Sequence, residues 1–153
     1  MARGRRLEAR FSAQLRKELS IVYPDMWIHL IPDMMRTGKK PFDFYFLNNG
    51  LMTAIECKYI DGKSFSINNL QPHQPDCLRK VIQAGGKGYF VIYFARENKV
   101  LVLNPDQLDY IFEIVGKNYF DFNEAVKYRH HMFMHRMKIN GMTRWEVEKL
   151  VNA

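Results

Sequence analysis

Cysteine is scarce in this chain. Only Cys57 and Cys77 occur among 153 residues, one inside an apolar run and the other in a helical stretch. Two thiols so placed make no disulfide framework of the kind that staples small secreted domains. Long hydrophobic runs are missing too, since no apolar stretch approaches the ~20 residues a membrane-spanning helix needs. The opening MARGRRLEARF is basic but has no apolar segment of the signal-peptide type. Internal repeats and low-complexity segments are absent. A soluble, cytoplasmic protein with no membrane partner is expected.

Acidic residues are also in deficit, with 16 Asp and Glu against 23 Lys and Arg, a formal charge of +7. A basic surface favours a polyanion, and nucleic acid is the first candidate. What is abundant is apolar and aromatic: 47% and 14% of the chain. That supports a real core in one domain over residues 1–153. The clearest patterning covers about 4–116, and 117–153 reads as a helical extension.

The chain is organised around PFDFYFLNNGLMTAIECK, Pro41 to Lys58. Two apolar, aromatic runs flank Asn48-Asn49-Gly50, a strong β-hairpin signal because Asn-Gly supplies the positive φ angles of a type I′ turn. A two-residue turn at Asn49-Gly50 pairs Asn48 with Leu51 and sets Asp43 opposite Glu56. Opposed like charges destabilise a strand pair. A divalent cation such as Mg²⁺, which prefers carboxylate oxygens, gives such a pair a purpose. Alternation puts Lys58 on the face of Glu56 and sends Cys57 to the other. An Asp, a Glu and a Lys at one sheet end can hold a metal against a phosphate and activate a water. The alternative is a solvated acid pair with Lys58 as counter-ion.

Around the hairpin, Leu7, Phe11, Leu15 and Leu19 recur every fourth residue and predict a helix over 3–20, loaded with Arg3, Arg5, Arg6, Arg10, Arg16 and Lys17. Trp27–Ile31 is a short strand, followed by a loop in which Arg36, Lys39 and Lys40 lead into the acids. Ser64–Ile67 is another short strand. Pro72 and Pro75 fit a helix only near its first turn, with Gln71, His73 and Gln74 at its start and Gly85-Gly86 as its stop. Gly88–Phe94 reads as a strand buried on both faces, with Lys99–Leu103 as its neighbour. Asn104-Pro105 starts a helix that stops at Gly116. Beyond it, His131 and His135 lack the Glu of HExxH and any CxxC, so no zinc site is expected. Lys127, Arg129, Arg136, Lys138 and Arg144 read as DNA contacts or plain surface. Thr143 reads as the cap of a last helix containing Trp145, Val147 and Leu150.

Pro41-x-Asp43, twelve residues, then Glu56-x-Lys58 resembles the PD-(D/E)xK nuclease motif. With SFSINNLQPHQ (64–74), the helix closed by Gly85-Gly86 and the Tyr89–Phe94 strand, it resembles the RecU-type Holliday junction resolvases, in a short phage-like or bacterial form. Arg3-Gly4-Arg5-Arg6-Leu7-Glu8 is similar to that family's first helix, so the likeness covers about Gly4 to Leu108. The resemblance implies an α/β, restriction-endonuclease-like core with a mixed sheet flanked by helices. It implies Mg²⁺-dependent phosphodiester hydrolysis (Mn²⁺ substituting), with Asp43 and Glu56 on the metal, Lys58 at the attacking water, and Gln74 assisting. Glu8 is a further acid of the site by resemblance, or pairs with a neighbouring arginine. The substrate implied is a four-way DNA junction held by a homodimer. Arg3, Arg5 and Arg6 are expected at DNA, and Arg36, Lys39 and Lys40 do a reduced version of the family's junction-centre projection. Other readings are a related nuclease acting on flaps or duplex, and a basic DNA-binding protein without catalysis.

Overall fold

A computed structural model describes residues 3–32, 39–128 and 132–153. The fourfold spacing of Phe11, Leu15 and Leu19 winds α1 (Arg3–Val22) and buries those three side chains. Next come β1 (Trp27–Leu30), β2 (Phe44–Asn48) and β3 (Leu51–Ile60). Asn49 and Gly50 take φ of 52° and 78°, the positive pair that a type I′ turn demands. Pairing of Asn48 with Leu51 follows, and the register runs on to Phe44 opposite Ile55. There the regular ladder stops. The Asp43 amide donates to the Ile55 carbonyl at 3.0 Å, so Asp43 leaves the strand just before it would face Glu56 squarely.

After β3 come β4 (Ser64–Ser66), α2 (His73–Gln83), β5 (Lys87–Phe94), β6 (Lys99–Leu103) and α3 (Pro105–Val115). Asn104 caps α3 through the Gln107 amide, and Gly116 ends it at φ 74°. The main sheet has the order β1-β2-β3-β5-β6-β8, where β8 is Met132–Met134. Among the described strands only β3 and β5 run parallel, joined across α2. One face of the sheet packs against α1, with Ile55, Cys57 and Val91 meeting Phe11, Leu15 and Leu19. The other packs against α2 and α3, with Phe90 and Ile92 meeting Leu78, Leu108 and Ile111. Gly88 lets α2 approach: a Cβ there would stand 3.0 Å from the Leu78 carbonyl oxygen and 3.2 Å from its Cβ.

Segment 117–153 departs from the expected helical extension. It contains β7 (Tyr119–Asp121), which pairs with β4 away from the main sheet, and α4 (Phe122–Val126). After β8 come β9 (Arg136–Ile139), β10 (Met142–Trp145) and α5 (Glu148–Val151). Thr143 and Trp145 are strand residues, not helix cap and helix. A second Asn-Gly turn explains the error: Asn140 and Gly141 have φ of 50° and 80° and turn a hairpin that pairs Ile139 with Met142. Trp145, Val147, Leu150 and Val151 then pack on α1 as part of the core. Glu18, buried in α1, accepts the Trp145 amide.

Candidate active site

The parallel neighbour β5 keeps the end of β3 inside the molecule, and this buries the charged residues there. Asp43, Glu56, Lys58 and Gln74 are all buried, Glu56 to 1% exposure. Asp43 is held by the backbone: its Oδ2 accepts the Cys57 amide at 2.7 Å. Its Oδ1 lies 3.2 Å from Lys40 Nζ. Glu56 Oε2 accepts from Gln74 Nε2 at 3.0 Å and lies 3.2 Å from Lys58 Nζ. Lys58 Nζ also donates to Gln74 Oε1 at 2.9 Å. That same oxygen accepts the Gln71 amide at 3.1 Å, so the start of α2 fixes the Gln74 side chain. Glu8 Oε1 reaches to 4.0 Å from Lys58 Nζ, bringing the start of α1 to the same cluster.

The electrostatics are tense. Burial and the neighbouring Asp43 carboxylate push the Glu56 carboxyl up to about 8, against the pull of Lys58. Burial likewise raises Glu8, with Lys58 pulling the other way. Among the described residues, none hydrogen-bonds the buried Glu56 Oε1. A buried, unpartnered acceptor costs free energy unless something else satisfies it. A hard divalent cation meets that need on chemical grounds, binding oxygen and lowering the proton affinity of the acids. Among the described residues no three His, Cys, Asp or Glu side chains converge into a ready-made metal cage. Asp43 and Glu56 are the carboxylates that could hold such a cation, and Mg²⁺ commonly takes one or two carboxylates and fills its remaining positions with water and phosphate.

The structure thus brings Asp43, Glu56, Lys58, Gln74 and Glu8 together. Glu8 approaches the lysine rather than completing a three-acid group. Cys57 lies on the opposite face, fully buried, its thiol pushed well up by burial. Arg3, Arg5 and Arg6 are exposed on the first turn of α1, with Arg3 3.4 Å from Asp61. Lys39 is exposed, while Lys40 pairs with Asp43. Arg36 lies outside the described residues, as do Arg129, His130 and His131. Arg144 is no surface contact: it is buried and grips Glu148 through two bonds of 2.6 and 2.8 Å. Sequence reasoning placed His73 at the start of α2 but missed its bond. Its Nε2 donates to the Lys40 carbonyl at 2.9 Å, tying the basic loop to the helix that carries Gln74. No spacing rule links two residues 33 apart.

A mixed sheet flanked by helices, with acids and a lysine buried at the end of its central hairpin, is the architecture of a restriction-endonuclease-like, PD-(D/E)xK-type core. The solved structure of Archaeoglobus fulgidus Hjc, a Holliday junction resolvase from an archaeal hyperthermophile, shares that fold. It matches with a TM-score of 0.50 at 16% identity, over 76% of this chain and 92% of that one. The chain belongs to the Recombination protein U (RecU) family, whose model matches residues 27–142. A curated relative, Holliday junction resolvase RecU of Mycoplasmopsis pulmonis, is 28% identical over 71 residues. That match spans 46% of this chain and 45% of the relative, so it covers about half of either protein. Among the described residues no helix is long and apolar enough to cross a membrane.

Proposed function

We propose that this chain is a Mg²⁺-dependent endonuclease that resolves four-way DNA junctions as a homodimer in the cytoplasm, or in the host cytoplasm if a phage encodes it. The observation that carries the reading is the Asp43–Glu56 acid pair, with one orphaned Glu56 oxygen, beside the buried Lys58. When bound, the metal supplies Lewis acidity and a more acidic water, and Mn²⁺ is compatible with the same oxygen donors. Asp43, fixed by the Cys57 amide, and Glu56, fixed by Gln74, hold it. Lys58 lies against Glu56, where its ammonium orients the attacking water and steadies charge on the phosphate. Gln74 keeps Lys58 and Glu56 in register with one another. Glu8 balances Lys58 from the α1 side.

The exposed Arg3, Arg5 and Arg6, together with Arg36 and Lys39, supply phosphate contacts. Lys40, paired with Asp43, adds positive charge beside the acids where a phosphate would be met. The test is cleavage of a synthetic four-way junction with and without Mg²⁺, by the wild type and by Asp43→Asn, with flap and linear duplex in competition. Mg²⁺-dependent paired nicks in the junction, lost in the variant, are expected. Cleavage by Asp43→Asn within tenfold of wild type would sink the site, and equal cutting of duplex would sink the substrate.

A further inference from the structure

The first turn of α2 reaches the candidate site twice. Gln74 bonds Lys58 and Glu56 on β3, and the Gln71 amide holds its side chain there. Its neighbour His73 bonds the segment that leads into Asp43. A carbonyl can only accept, so the His73 ring carries its proton on Nε2 and donates it to the Lys40 carbonyl at 2.9 Å. Pro72 and Pro75 bracket the two residues with fixed φ angles, which leaves this turn little freedom to bend. One short stretch of backbone thus spans from the lysine of β3 to the lysine of the basic loop.

What the His73 bond holds is Lys40 rather than Asp43. Asp43 has anchors of its own: its Oδ2 accepts the Cys57 amide, its amide donates to the Ile55 carbonyl, and its carbonyl accepts the Ile31 amide. Phe42, between them in the chain, is buried in the core on the α2 side and isolates Asp43 from movement at Lys40. Lys40 itself lies outside any strand or helix, with its Nζ 3.2 Å from Asp43 Oδ1. A lysine carries its charge on a flexible four-carbon stem, so the place where its backbone is held decides where that charge can stand. We infer that His73 is a positioning residue: through the Lys40 carbonyl it keeps the Lys40 ammonium beside the acids, where it meets a phosphate of the strand being cut. The inference rests on the nuclease reading and adds to it a residue that acts on the site through another.

The experiment compares His73→Phe, which keeps a ring and loses the donor, with His73→Gln, whose amide can donate to the same carbonyl. Phe and Gln are both uncharged, so a difference in salt dependence between these variants comes from a cation they place differently. Lys40→Met and the double variant Lys40→Met/His73→Phe complete a cycle. The full chain and a synthetic four-way junction are used throughout. Cleavage is timed with Mg²⁺ at saturating junction, binding is titrated with Ca²⁺ over a range of salt, and unfolding temperatures are read in EDTA. His73→Phe should cut roughly three- to tenfold more slowly, the scale of one hydrogen bond. Lys40→Met should lower the salt slope of binding by about 0.9, and His73→Phe by half of that or more. His73→Gln should recover most of both losses, and His73→Phe should cost little more once Lys40 is Met. If His73→Phe does not fold, His73→Leu, equally without a donor, takes its place. A Gln variant no better than Phe, an unchanged salt slope, or the same loss with and without Lys40 would overturn the inference while the wild type still cuts. A wild type that neither binds nor cuts junctions would overturn the nuclease reading and this inference with it.

Discussion

Replacing Glu56 by Gln should separate stability from activity, and the separation should depend on pH. Glu56 is 1% exposed, and burial together with Asp43 pushes its carboxyl from 4.5 up to about 8. Between those values the folded, metal-free protein holds a proton that the unfolded chain has released. Stability therefore falls as pH rises from about 4.5 to about 8 and then levels off. At about 1.4 kcal/mol per pH unit the full span is roughly 5 kcal/mol, which is a ceiling. Glu56→Gln also strips Lys58 of its nearest anion, leaving Glu8 at 4.0 Å, and this cancels part of the gain. A net gain on the order of 2 kcal/mol above pH 8 is expected, or about 4–8 °C in unfolding temperature for a chain of this size. The assay is thermal unfolding in EDTA from pH 5 to 9 for both proteins. The curves should nearly meet at pH 5 and part by pH 9, with the variant above. Added Mg²⁺ should raise the wild type at pH 9 and leave the variant unmoved, because a ligand stabilises only the form that binds it. A constant offset across pH, or a variant less stable at pH 9, would refute the reasoning.

Cys57 and Lys58 are neighbours on opposite faces of β3: Lys58→Ala should abolish cleavage in a folded protein. Cys57→Ala should keep cleavage and cost on the order of 1 kcal/mol, read from denaturant midpoints. Gly88→Ala presses a methyl group against Leu78, so it should cost about 1–3 kcal/mol, and any shift of α2 should slow cleavage by moving Gln74. Neutralising Arg36, Lys39 and Lys40 together should weaken binding to the junction far more than to linear duplex. A paired salt titration checks it, and equal losses with a salt slope lower by about 0.9 per contact would make the three generic phosphate contacts.

The hairpin was readable because local chemistry dictates it. Asn49-Gly50 fixes the turn, the turn fixes the register as far as Phe44 opposite Ile55, and that register leaves Asp43 just beyond the ladder beside Glu56 and turns Cys57 away. The same logic was available at Asn140-Gly141 and would have found β9 and β10. There Met, Lys and Arg dilute the alternation, and Trp145 and Leu150 imitate a helical stripe. Arg144 was misplaced for another reason: composition marks it as surface, but β10 packs it into the core, where Glu148 four residues on holds it. The bonds that lock the site were beyond reach from pattern alone. His73 to Lys40, Gln74 to Glu56 and Glu8 to Lys58 each join residues distant in sequence, brought close by the β3–β5 pairing and the docking of α1.

The bond between Glu18 and the Trp145 amide spans 127 positions, and Val147, Leu150 and Val151 seal the same side of α1. During synthesis α1 and β3 emerge well before β10 and α5, which close the other side of the helix. At about 5–20 residues per second the helix carrying Glu8 can dock on β3 several seconds before β10 and α5 arrive. Contacts of such separation also slow the final closure itself. Until β10 and α5 arrive, Glu8 stands beside Lys58 through the contact of α1 with β3 alone. The candidate site is thus completed only when β10 and α5 seal the far side of the helix that carries Glu8.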